Sequence, residues 1–370
     1  MHMLVPALPH AARDLGASVG AMQLTISLYI LGMAVGQLGY GPVSDRFGRR
    51  PVLVAGLVLY SVASIAAFLA PTIHALIAAR LFQAFGGGAG LALSRAIVRD
   101  TAKPPDIARR LALMNLMVTL GPGMAPVIGG LLSASFGWRA IFLALSALGV
   151  VNLLLLWRLL PETRAISGHV SAATIARDYR QLLKSPSFIG YAIGGGCATT
   201  SMYAFIGAAP FILVDELHRP PFEVGIYLGL LVGGFSLGTI LATRLIPGVP
   251  IATLLTRSSL VSALAAFVFL GAALSSHLNV ALAVVPMFVF TIGAGISSPI
   301  ALTQALGINP RIIGSASGLY GAVQMGIGAL CAGLVGLGRD PALAAGIVLA
   351  TASVIGQLAF WVGARSRQET

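Results

Sequence analysis

"GPVSDRFGRR", residues Gly41–Arg50, sets three arginines and one aspartate between two long apolar runs. Charge that dense stands out because the rest of the chain has so little. Of its 370 residues, 9% are Asp, Glu, Lys or Arg and 57% are hydrophobic, and the mean hydropathy is +0.92. A soluble domain carries about 25% charged residues. A chain so poor in charge cannot cover a globular surface in water, so it must face lipid. The stretch is then a polar loop between two membrane crossings.

Apolar runs of about 20 residues, the length that crosses the hydrocarbon core as a helix, recur outward from this loop. They lie at 22–40, 51–70, 74–98, 110–134, 137–160, 187–213, 223–245, 250–274, 278–305, 312–337 and 342–364, eleven in all. They must be helices, because lipid offers no partner to backbone polar groups. A β-barrel is excluded, since its strands alternate polar and apolar residues and these runs do not. The opening "MHMLVPALPH" (Met1–His10) is too short for a span and lacks the basic start of a signal peptide. It reads as the last third of a helix whose beginning is missing.

Lys and Arg mark cytoplasmic loops. With the 41–50 loop in the cytoplasm and strict alternation, the cytoplasmic side holds 17 of the 23 Lys and Arg and the other side four; Arg80 and Arg95 lie within a span. The net charge of +12 is therefore a topology signal, and nucleic-acid binding is not needed to explain a pI near 10.6. The longest polar stretch, "PETRAISGHVSAATIARDYRQLLKSP" (161–186), includes an amphipathic helix suited to the membrane face. The fold expected is an all-α integral membrane protein in three parts. Residues 1–160 form an N-terminal helix bundle with a truncated first helix, 161–186 a cytoplasmic linker, and 187–370 a six-helix C-terminal bundle. Two halves of six joined by a cytoplasmic linker is the plan of a known class of transporter.

The loop now has a context. "GPVSDRFGRRPVL" resembles the loop signature G-x-x-x-D-R-x-G-R-R of the major facilitator superfamily, matching at Gly41, Asp45, Arg46, Gly48, Arg49 and Arg50. Glycine permits a tight turn. Asp45 can pair with an arginine or a helix N-terminus of the other half, a latch on one of two states. "LIAARLFQAFGGGAG" (Leu76–Gly90) is similar to the fourth-helix motif of that superfamily at Arg80 and Gln83, with Ala84 where glycine is usual. "GPGMAPVIGG" (Gly121–Gly130) resembles its fifth-helix antiporter motif at Gly121, Pro126, Gly129 and Gly130, with Ala125 in place of a glycine. Small residues four apart let helices approach closely, and a proline bends a helix. The same spacing at Gly32/Gly36, Gly190/Gly194 and Gly314/Gly318 reads as helix packing.

"VPALPHAARDLGAS", "RAIVRD", "FGWRAIFLALSALG", "LLPET" and "YAFIGAAPFIL" narrow the resemblance to the bicyclomycin-resistance (Bcr/CflA) type of multidrug exporter, across nearly the whole chain. That resemblance implies a twelve-helix, monomeric exporter of the bacterial inner membrane driven by proton antiport, with an acid in the first helix. Here His2 stands roughly where that acid belongs.

Other chemistries find little support. The six histidines show no ligand spacing, and "FGGGAG" lacks the Lys-Ser/Thr of a phosphate loop. No metal, cofactor or enzymatic activity is expected, and the partners are a small-molecule substrate, protons if transport is coupled, and the bilayer. Cys197 and Cys331 read as packing residues. Polar, aromatic and methionine side chains inside spans are the candidates for a substrate cavity: Tyr29, Asn115, Tyr203, Phe205, Gln304 and Gln324, with Met114, Met117 and Met325. A mostly apolar cavity with few polar anchors suits varied lipophilic ligands. The function expected is export of drugs or small lipophilic compounds. The alternatives are a specific metabolite or sugar exporter, or a truncated chain that inserts without transporting.

Overall fold

The computed structural model describes residues 1–101, 104–162, 172–275, 277–309 and 312–368, with side chains described outside 41–42, 45, 95–96, 99–100, 104–116, 118–120, 172–175 and 366–368. A 3₁₀ turn, His2–Ala7, leads into the short helix α1, Leu8–Asp14. Then follow α2 (Val19–Phe47), α3 (Arg49–Phe68), α4 (Ile73–Thr101), α5 (Pro104–Phe136) and α6 (Ala140–Leu159). The amphipathic α7 (Ala172–Leu183) precedes α8 (Pro186–Thr199) and α9 (Tyr203–Pro210), which a 3₁₀ turn joins and a π-helical turn, Phe211–Glu216, extends. The chain closes with α10 (Pro221–Leu245), α11 (Ile251–Leu274), α12 (Val280–Leu306), α13 (Ile313–Val335) and α14 (Pro341–Gln368).

Among the described residues, ten segments are long and apolar enough to cross a membrane, Pro186–Glu216 counting as one interrupted span. The remaining expected span, 110–134, falls on α5, much of which lies outside the described side chains.

Local chemistry sets the helix ends. Ser18, Ser185, Asn279 and Asp340 each accept a hydrogen bond from a backbone N–H of the turn that follows, at 3.2, 3.3, 2.9 and 2.9 Å; such caps satisfy donors the helix leaves open. Proline in the first turn starts α8 and α10. One boundary departs from expectation. The span at 22–40 does not end at Tyr40: α2 runs on through Phe47, so most of the charged stretch is helical. Only Gly48 turns, at φ 93°, a value that L side chains rarely adopt.

Helices α2, α3, α4 and α6 pack on one another, and α8, α10, α11, α12 and α14 do likewise. The two sets meet through α2 against α13 and α5 against α10. Met3, Leu4, Val5, Ala7 and Leu8 are all buried, with the first turn seated on α5.

Candidate functional site

The most deeply buried charge among the described residues sits on α4. Arg80 is fully buried, and its Nη1 donates to Gln83 Oε1 at 2.5 Å. Gln83 Nε2 donates to Ser64 Oγ of α3 at 2.7 Å, and Ser64 Oγ donates to the Tyr60 carbonyl at 2.7 Å. The Tyr29 ring lies 4.0 Å from the guanidinium and the Phe142 ring 5.9 Å, so four helices surround one cation. Aromatic faces stabilise a desolvated guanidinium. Arg80 Nε and Nη2 find no hydrogen-bond partner among the described residues. Two open donors on a buried cation can bind an acceptor that comes and goes.

The cavity candidates divide. Tyr29 joins Arg80. Tyr203 stacks against the His2 ring, centroids 6.2 Å apart. Gln324 Nε2 donates to Thr199 Oγ1 at 2.7 Å, and the Gln324 carbonyl accepts from Thr200 Oγ1 at 2.6 Å, tying α13 to α8. Phe205 instead packs edge-on against Phe269 of α11 at 5.4 Å, in the core. Gln304 lies half-buried near the C-terminal end of α12, Met325 is half-buried and Met117 is exposed. Asn115 and Met114 lie outside the described side chains. Gln23, which the sequence did not single out, is fully buried with neither amide atom partnered among the described residues; it presses on Gly207 of α9 and Gly336 after α13.

The charged turn is held from within its own set of helices. Glu162 Oε1 accepts the Arg49 backbone N–H at 3.0 Å and Oε2 that of Arg50 at 3.3 Å, at the start of α3. A carboxylate there offsets the open donors and positive end of the helix. Arg50 Nη2 reaches the Trp157 carbonyl at 2.8 Å. Arg49 is buried and donates to Ser44 Oγ, while Arg46 is exposed, 5.3 Å from the Phe47 ring. The side chain of Asp45 lies outside the described residues. Glu162 belongs to "LLPET", which carried a resemblance but no role; a lone acid after an apolar helix gives no sign of the turn it will cap.

The α5 motif forms crossings. Gly129 touches the backbone of Met3, and Gly130 faces Phe222 of α10. A Cβ on Gly225 would stand 2.8 Å from the Pro126 carbonyl oxygen. Gly121 meets nothing within 4 Å among the described residues. The partner glycines, Gly225 and Gly229, show the small-residue spacing themselves, which was the available signal. On the other seam Gly20 meets the Gly336 carbonyl, and Ser27 Oγ donates to the Ala329 carbonyl at 2.8 Å. Gly32 packs on Leu81 and Ala84, and Gly190 on Ala359 and Gly363, as packing contacts. Cys197 and Cys331 are free and buried.

Known proteins place this arrangement. The sequence model of the Major Facilitator Superfamily matches residues 1–333. The chain is 32% identical over 363 residues to the "Uncharacterized MFS-type transporter YdgK" of Bacillus subtilis, covering 97% of this chain and 90% of that one. It is 31% identical to "Multidrug resistance protein D" of Escherichia coli, over 86% and 80% of the two chains. It is 27% identical to the "Bicyclomycin resistance protein homolog" of Haemophilus influenzae, over 90% and 84%. Among solved structures, a D-xylose–proton symporter superposes with TM-score 0.78 at 14% identity, covering 97% of this chain and 93% of that one. An inward-facing bacterial homolog of the human lysosomal transporter Spinster gives 0.74 at 18%, over 99% and 94%. The chain belongs to the major facilitator superfamily and is a transporter, not an enzyme.

Proposed function

We propose that the protein exports drugs or small lipophilic compounds across the bacterial inner membrane, as a monomer, by rocking residues 1–160 against 187–370 about a central site. The observation that carries this reading is Arg80. A guanidinium within a membrane span is costly unless paired or wetted, and most buried polar groups find partners. Among the described residues Arg80 keeps two donor nitrogens open beside an aromatic wall of Tyr29 and Phe142. Flat lipophilic compounds bearing one acceptor suit such a wall. The multidrug-resistance and bicyclomycin-resistance names among the relatives support the same cargo class. Charge placement and the bacterial relatives support the inner membrane.

Proton antiport is the coupling we propose. Asp45 would act as the latch, with the Gly121–Gly130 motif keeping the α5 crossing tight. The test is dye efflux from cells. Arg80→Ala should reduce efflux to background while the protein still inserts at normal levels. Normal efflux by that variant rejects the central role of Arg80.

A further inference from the structure

A groove of about 810 Å³ runs between α13 and α14, floored by α8 and separate from the Arg80 cluster. Its volume is that of a ligand pocket. Its rails are Leu330 and Leu334 of α13 with Leu337 in the turn that follows on one side, and Ile347, Thr351 and Ile355 of α14 on the other. All six are exposed, whereas Cys197, Cys331 and Ala352 on the floor are buried. The groove is therefore open sideways, toward lipid.

Its two ends differ. One closes among apolar side chains. The other ends at Arg339 and Asp340, on the face opposite the basic one, which the positive-inside rule makes the outer face. From Leu343 to Ile355 the lining descends about 18 Å at 1.5 Å per residue. That is close to half of a hydrocarbon core roughly 30 Å thick, one leaflet. Arg339 is exposed and makes no ion pair among the described residues. Asp340 caps α14 through one carboxylate oxygen, which leaves the other free. The mouth thus offers one cation beside one acid.

We infer that this groove holds one acyl chain of an outer-leaflet phospholipid whose headgroup joins a phosphate to a primary ammonium. The phosphate meets Arg339 and the ammonium meets Asp340. An anionic headgroup satisfies only the arginine. A quaternary ammonium has no N–H to donate to the acid.

The test is native mass spectrometry of the purified full chain in mild detergent. Dioleoyl phosphatidylethanolamine, phosphatidylcholine and phosphatidylglycerol are titrated separately. We expect one phosphatidylethanolamine per chain, bound about fivefold more tightly than either of the others, the factor one surface charge contributes. Arg339→Gln should weaken all three lipids. Asp340→Asn keeps the helix cap and should erase the preference over phosphatidylcholine. Thr351→Phe, at the exposed rim, should block the groove and reduce binding of every lipid. Unchanged melting temperatures confirm that the variants fold. Equal binding of the three lipids overturns the inference. So does a preference that survives Asp340→Asn, or binding that survives both Arg339→Gln and Thr351→Phe.

Discussion

Arg80, Glu162 and Asp14 are three charges whose neighbours decide what each does. Lysine in place of Arg80 keeps the charge but loses the flat face over Tyr29 and the fork toward Gln83. Arg80→Lys should therefore insert normally yet transport poorly, as dye efflux beside Arg80→Ala will show. Glu162→Gln leaves one acceptor oxygen for the Arg49 and Arg50 N–H groups, which now bond to two, and removes the negative charge from the start of α3. It should lower stability by about 0.3–1 kcal/mol, read as a small fall in melting temperature. Asp14 accepts from Arg139 and from Trp138, the latter at 3.0 Å, and these bonds, the arginine's foremost, hold its carboxyl below the usual carboxylate range. A depressed folded value means that the stabilisation is present above the unfolded value and is lost as pH falls through the folded one. Asp14 is exposed, so the effect is small. Asp14→Asn should lower the melting temperature slightly at pH 7, and by progressively less as the pH falls through the folded value. At this scale Arg80 and Gln83 were legible through their resemblance to the fourth-helix motif, and residues three apart share a helix face. Ser64 and Glu162 were not, because they reach their partners across 19 and 113 positions of chain.

Among elements, the crossings of α5 separate glycines that sequence alone treats alike. Gly121 meets nothing within 4 Å among the described residues, whereas a Cβ on Gly129 would collide with the Met3 backbone and one on Gly225 would crowd the Pro126 carbonyl. Gly121→Ala should be neutral or stabilise slightly, since alanine favours the helix by up to about 1 kcal/mol. Gly129→Ala and Gly225→Ala should force helices apart and reduce efflux. Spin–spin distances across α5 and α10 check this; unchanged distances in Gly225→Ala would contradict the role given to that crossing. The extension of α2 to Phe47 was not legible, because its charged residues look like a loop until Gly48 supplies the only positive φ in that stretch.

For the whole molecule the open question is what drives transport. Asp14, Glu162, Asp178, Asp215, Glu216, Glu223 and Asp340, the acids with described side chains, all stand at helix ends, in turns or on the amphipathic α7. A coupling carboxylate is expected deeper, where burial and charge can move its titration. We therefore propose that the coupling group is His2, Asp45 or Asp100. In proteoliposomes under an imposed pH gradient, at least one of His2→Ala, Asp45→Asn and Asp100→Asn should abolish movement of a lipophilic cationic dye; full movement by all three variants would overturn coupling through these residues. Asp45→Asn should alter which side labels a cysteine engineered beside Tyr203; an unchanged pattern reduces the charged turn to a membrane anchor.

Composition and period alone determined that this chain crosses a membrane many times as helices, and which face carries its positive charge. Both follow from the cost of leaving charge or backbone polar groups in lipid, a cost that each segment meets on its own. The motif spacing singled out Arg80, Gln83 and the α5 glycines for the same reason: each motif lies within a few turns of one helix. Only the tertiary structure decided which glycines are crossings, that Phe205 belongs to the core, that Glu162 holds the charged turn, and that a groove opens between α13 and α14. Those facts depend on which helices become neighbours. Neighbours are chosen by close packing and shape summed over many residues, a quantity no single stretch of sequence contains.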